Sequence, residues 1–203
     1  LPATVEYLGR AAFSGCVGLK SVVFEERDGG IGTFDSAWRE GMSDKTRVDI
    51  GFKLTLDYGR STGNIGAKTV AVIRDGNFTM PVPVRAGYTF VGWFTAVTDG
   101  EQLTDAEGKS LRKYDKDEAI ILYAIFEANA NKVSFDANGG TGSMPEQTIH
   151  TDEIAKLAAN TFAKAGYTFV GWATAPDGKK VYNDTQSIEM GTESFTLYAV
   201  WKA

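Results

Sequence analysis

The sequence predicts a mostly β protein with little helix (α+β), in which two tandem copies of one small unit follow a different leading segment. Three observations carry that prediction. The eight residues AGYTFVGW occupy positions 86–93 and recur unchanged at 165–172, an offset of 79. Short segments alternate apolar and polar residues with a period of two and run into Asn-Gly or Asp-Gly turn chemistry. Aromatic and β-branched residues fall at strand spacing in both copies.

Composition narrows the function classes. Hydrophobic residues make up 43% and charged residues 23%, a balance that folds rather than stays disordered. No run of 18 apolar residues occurs, so no membrane insertion is expected in this segment. The start carries no basic and apolar leader, so a secretion signal is not expected within it. The formal charge of −5 is spread along the chain without a Lys/Arg cluster, and no nucleic-acid partner is expected. Cys16 is the only cysteine and His150 the only histidine, 134 positions apart. An internal disulfide is impossible, and neither a Cys/His nucleophile pair nor a soft-ligand zinc site is expected.

Taken in order, residues 1–24 place apolar side chains at Val5, Leu8, Ala12, Phe13, Cys16, Leu19, Val22 and Phe24, with no match to either copy. Residues 30–52, with Trp38 and a possible short helix over 33–42, are expected to close that segment. The first copy spans 53–128. Its Leu54-Thr-Leu-Asp57 lies at offset 79 from Val133-Ser-Phe-Asp136 of the second copy, which spans 129–203. At the far end Leu122-Tyr-Ala matches Leu197-Tyr-Ala at offset 75. The first copy therefore carries four extra residues between its aromatic blocks, expected within 103–118. In the second copy, Asn138-Gly139-Gly140 is read as a turn and residues 195–201 as a central or covered strand. Residues 151–160 have the capping residue and apolar spacing of a short helix. Their counterpart at 73–83 contains Asp-Gly and two prolines, which cannot continue a helix, so a hairpin plus an extended segment is expected in both.

A unit of roughly 75 residues buries only about 60% of its unfolded surface, so large side chains must fill its core. The expected core is Phe13, Cys16 and Leu19 in the leading segment, and Tyr88, Phe90, Trp93 and Tyr123 in the first copy. In the second copy it is Phe135, Tyr167, Phe169, Trp172, Tyr198 and Trp201. The competing reading is an exposed Trp/Tyr platform for a sugar; recurrence in both copies favours the core. Gly92 and Gly171, each before a tryptophan, are expected to mark a bulge or close backbone approach.

Residues 1–24 resemble one turn of a leucine-rich repeat of the BspA-like surface-protein type. The matching residues are Pro2, Val5, Leu8-Gly9, Ala12-Phe13, Gly15-Cys16, Leu19 and Val22. A lone solenoid turn cannot bury its own core, so residues 1–29 are expected to be the last turn of a longer array. Leu1-Pro-Ala-Thr also resembles a sortase sorting signal, but Val5 stands where glycine is needed.

Residues 133–202 closely resemble the B repeat of internalin-type bacterial surface proteins, the Listeria–Bacteroides repeat. The resemblance rests on Val133-Ser-Phe-Asp-Ala-Asn-Gly-Gly140, on residues 164–172 and on Leu197-Tyr-Ala-Val-Trp-Lys202. Residues 53–127 look like a more divergent member, with Tyr58-Gly59 at the turn and Phe126-Glu127 in place of Trp-Lys. The resemblance implies two β-grasp (ubiquitin/SUMO-like) domains in a secreted or wall-attached protein, without catalytic residues. Its implied roles are spacing, and contact with a host or cell-wall protein or glycan.

The expectation is thus a non-catalytic, structural and adhesive extracellular segment, monomeric, with no cofactor, metal or catalytic residue. The alternative is a glycan-binding module built on aromatic residues. A hydrolase with paired carboxylates is disfavoured, because among 26 acidic residues some pair always lies close. Asp136 and Asn138 offer two oxygen donors, far short of the six to eight of a calcium site.

Overall fold

The structure, a computed structural model, describes residues 1, 5, 7–25, 36–116 and 118–203. Among these residues it is all β, with eleven strands and no helix. Two compact units divide it. One comprises Leu1–Val84 and Phe90–Ile125, the other Arg85–Thr89 and Phe126–Ala203.

Strands β1 (Ser21–Glu25), β2 (Arg47–Asp57), β3 (Thr69–Ile73), β4 (Tyr88–Phe94) and β5 (Ile121–Ala128) make one sheet, most of it in the first unit. β2 is eleven residues long and has three partners. Its first half pairs in parallel with β1, Ser21 opposite Arg47 through Glu25 opposite Gly51. Its second half pairs antiparallel with β3 and, at Thr55–Asp57, in parallel with β5. Burial along β2 alternates from Phe52 onward, with Phe52, Leu54 and Leu56 inward and Lys53, Thr55 and Asp57 outward. That is the period-two pattern of a sheet with one wet face. The expected junction at 52/53 falls inside this strand.

In the second unit, β6 (Ala130–Asp136), β7 (Gln147–His150), β9 (Thr168–Ala173) and β11 (Phe195–Lys202) form a sheet in the order β7-β6-β11-β9. β8 (Ile154–Lys156) pairs separately with β10 (Ser187–Glu189). The order matches β3-β2-β5-β4 of the first copy. β11 is central, parallel to β6 on one side and antiparallel to β9 on the other.

Corresponding hydrogen bonds align the copies position by position. Leu103 N donates to Trp93 O, as Val181 N does to Trp172 O; Gly108 N donates to Asp105 O, as Gln186 N does to Asn183 O. Asp75 N donates to Tyr114 O, as Asp152 N does to Met190 O. The offset therefore falls from 79 at the tryptophans to 78 at Asp105, 76 at Tyr114 and 75 at Leu122. The four extra residues of the first copy are distributed, not inserted at one place. One of them lies between Trp93 and Asp99, upstream of the expected 103–118 window. Short additions spread over loops cost little closure entropy each.

The short helix possible over 33–42 and the hairpin expected at 151–160 are corrected. Residues 36–41 form turns, with Glu40 N bonded to Ala37 O and Met42 N to Arg39 O, so no helix occupies them. The rest of that segment, 33–35, lies outside the described residues. Residues 151–160 contain no helix: Glu153 N bonds back to His150 O, Asp152 takes φ 63°, and β8 follows. Nor is this a simple hairpin, because β7 pairs with β6 while β8 pairs with β10. The Gln147 side chain bridges the gap, its Nε2 donating to Lys156 O and its Oε1 accepting from Ala158 N. The Asp75-Gly76 turn is the same device, with Asp75 at φ 58° and Gly76 N bonded to Ile73 O.

Candidate functional site

Each copy is organised around one tryptophan. Trp93 and Trp172 are both fully buried. Trp172 has Phe169 at 4.9 Å, Phe135 at 5.0 Å and Phe162 at 6.2 Å between ring centres; Trp93 has Tyr58 at 5.1 Å and Phe90 at 6.0 Å. Such tilted and edge-on contacts add to the burial of the rings themselves.

The sequence Phe-Val-Gly-Trp spaces its rings three apart, which a regular strand would put on opposite faces. A bulge resolves this. Trp201 faces Phe169 and Val200 faces Gly171, so β9 carries one extra residue, Val170. Phe169 and Trp172 then both point into the core. The glycine before each tryptophan is required by contact. A Cβ on Gly171 would lie 2.4 Å from Tyr182 O and one on Gly92 2.3 Å from Thr104 O, with φ at 139° and 152°.

Most other expected core residues are covered: Phe90 is buried, Phe135, Phe169 and Trp201 pack on the Trp172 cluster, and Phe13, Leu19, Tyr123 and Tyr198 are partly buried. Three are corrected. Tyr167 is 48% exposed. It sits on the turn before β9, its amide bonded to Lys164 O, and its ring lies 4.9 Å beneath the Lys164 ammonium. Tyr88 repeats this arrangement under Arg85 at 3.4 Å, and its hydroxyl donates to Asp152 within the second unit. The shared tyrosine is a cation–π partner at the surface, not a core residue. Cys16 is also exposed. It lies on a turn, Cys16 N bonded to Phe13 O, while Leu8, Val22 and Phe24 form the leading core with Trp38 packed on Phe24.

The turn at Asn138, Gly139 and Gly140 ties the start of the second copy to its end. Gly140 N donates to Ala137 O, and Asn138 and Gly139 both take positive φ. The Asn138 amide donates to Ala199 O at 3.0 Å and to Pro176 O at 2.7 Å, and its own backbone N–H caps Asp136. Trp201 Nε1 donates to Ala137 O at 2.9 Å. The first copy keeps the turn with the same two bonds but without the asparagine side chain. Ser61 N bonds to Tyr58 O and Gly59 N to the Asp57 carboxylate.

A buried polar pair was not anticipated from the sequence. Asn131 Nδ2 donates to Thr151 Oγ1 at 3.0 Å and to Gly191 O at 3.2 Å, both side chains inside the second unit. At offset 79 the first copy has Phe52, packed on Tyr114. A copy-to-copy alignment carries this signal, an asparagine where its twin has a core phenylalanine.

The charged groups form exposed pairs. Glu146 sits 2.6 Å from Lys132 and accepts from Ser134, which holds its carboxyl below the ordinary value. The His150 backbone amide, then its ring, hold the Glu153 carboxyl low in the same way. Glu101 takes both Arg112 and Lys116. Surface pairs of this kind contribute little to stability. Among the described residues no group of three or more His, Cys, Asp or Glu side chains converges on a metal-sized site, and no helix is long and apolar enough to cross a membrane.

Two like-ordered sheets, each joining its first and last strands in parallel around one buried tryptophan, define a tandem β-repeat protein. The family model of the Listeria-Bacteroides repeat domain matches residues 55–125 and 132–200, and the chain belongs to that family. It is similar to a protein of Evansella cellulosilytica named as a Gly-rich membrane protein, 32% identical over 190 residues, covering 83% of this chain and 20% of the relative. A second Evansella cellulosilytica protein, named as a membrane protein, is 28% identical over 59% of this chain and 18% of its own. Internalin H of Listeria monocytogenes is 34% identical over 58% of this chain and 20% of its own. The chain spans about a fifth of the length of these relatives.

Proposed function

We propose that this chain is a non-catalytic, structural and adhesive segment of a secreted or cell-surface bacterial protein. Two β-grasp domains, at 53–128 and 129–203, project an upstream leucine-rich-repeat domain whose last turn lies at 1–29 and whose closing junction is 30–52. The partner of the whole protein is a host or cell-wall protein or glycan, met outside the cell by a monomer. The relatives, named as membrane proteins and an internalin, support the surface setting. Parallel pairing of β1 with β2 at a spacing of 26 residues supports the solenoid reading, since stacked turns present adjacent parallel strands.

The observation that carries this reading is the complete burial of Trp93 and Trp172. Both rings belong to cores, which takes away the surface a sugar platform would use. Small-angle scattering is expected to report an elongated, rigid monomer. A compact particle, or one whose domains reorient freely, contradicts the spacer role.

A further inference from the structure

We propose that the second repeat is a shear clamp, built to hold load applied along the chain. The inference rests on the spacer reading, in which tension between an anchored end and an engaged end passes through each repeat.

The resistance follows from topology. In the second repeat the chain arrives at Ala130, the start of β6, and leaves at Lys202, the end of β11. These strands are parallel neighbours, paired from Val133–Phe195 to Asp136–Tyr198. Pulling the start of one and the end of the other slides the two strands past each other. The evenly spaced bonds of a parallel ladder then share the load and must fail together. An antiparallel pair pulled at adjacent ends opens one bond at a time instead.

Side chains lengthen this ladder beyond its backbone rungs. Ser194 Oγ accepts from Lys132 N at 2.9 Å at the loaded end, and Asn138 donates to Ala199 O beyond the other. Trp201 Nε1 adds a bond to Ala137 O. The first copy has three parallel register pairs, Thr55–Ile121 to Asp57–Tyr123. It places Ala119, Gly59 and Phe126 where Ser194, Asn138 and Trp201 stand, none of which can make the equivalent side-chain bond. The second repeat is the reinforced one.

The test is force spectroscopy on the full chain, carrying Cys16→Ser so that handles attach only at introduced cysteines. Handles at Glu127→Cys and Ala203→Cys load β6 against β11 in shear. Handles at Thr168→Cys and Ala203→Cys pull apart the Thr168–Lys202 end of the antiparallel β9–β11 pair. Forced unfolding reads the unfolding rate, so the two geometries compare barriers in one fold. Rupture in shear is expected at several-fold higher force. Asn138→Gly, which suits φ 47° and removes only the side-chain bonds, is expected to lower the shear force and leave the other geometry unchanged. Equal forces in the two geometries, or an Asn138→Gly chain as strong in shear as its parent, would overturn the clamp. Scattering from a compact particle would instead remove the spacer reading while the force anisotropy stood.

Discussion

The two copies solve one packing problem with different residues. At the turn the first copy places Tyr58, whose ring packs edge-on against Trp93 and whose hydroxyl donates to Ala67 O. The second copy has Ala137 there and a larger ring at the strand end, Trp201 where the first has Phe126, packed against Phe169. The tryptophans differ too. Trp93 Nε1 donates to Pro81 O at 2.8 Å, whereas Trp172 Nε1 is buried with no hydrogen-bond partner among the described residues. The segment that supplies Pro81 is two residues shorter than its counterpart, Met80 to Val84 against Leu157 to Ala163. The repeat specifies a shape and a bulge more tightly than it specifies polar partners.

The largest expected effect tests the shared part of that comparison. Trp93→Ala and Trp172→Ala should each cost about 3–5 kcal/mol, a large fraction of the roughly 5–15 kcal/mol that holds a domain. Hydrogen exchange followed by mass spectrometry, read on peptides of each copy, should show protection lost in the mutated copy. Equal protection there would mean the rings are not central.

Next in size are the phenylalanine substitutions, which separate the copies. Trp93→Phe removes ring volume and also leaves Pro81 O without its donor, whereas Trp172→Phe breaks no bond. The penalty at Trp93 should exceed that at Trp172 by about 1 kcal/mol or more. Urea denaturation monitored by the same exchange peptides measures the difference, and reversed order would contradict the assigned bonding.

The smallest effect is one of pH. Glu146 and Glu153 carry depressed pKa values, and Gly76 stands at the position of Glu153 in the first copy. A carboxylate whose folded value is lowered adds stability that is fully present above its ordinary value of 4.5 and is lost as pH falls through the folded value. The second copy should therefore lose slightly more protection than the first between pH 5 and acid, on the order of the small contributions typical of exposed pairs. Glu153→Gln should narrow that gap.

The repeat, its strands and its tryptophan core were readable because identical anchors recur in the same order, at offsets that shift only where loops differ. Tyr167 was misplaced because counting by twos from Phe169 puts it inward, yet β9 begins only at Thr168 and Tyr167 belongs to the turn before it. Cys16 was misplaced for a similar reason: apolar spacing continues through a turn whose backbone aims the side chain outward. The Asn131–Thr151 pair was hidden because single polar residues in a short strand look like its solvent face. The alignment with buried Phe52 points Asn131 inward, and pairing across β6 and β7, which sets it opposite the buried Ile149, shows the same direction.

The double pairing of β2 has a consequence for anyone recombining these genes. A fragment begun where sequence similarity begins, at Lys53, would discard the half of the strand that Ser21–Glu25 leans on together with the buried Phe52, keep only five of its residues, and leave Val72 and Ile73 of β3 as an unpaired edge. Exposed edges of that kind recruit other chains. The portable cassette therefore starts upstream of the leading strand, and a shorter one should come out of the cell as inclusion bodies.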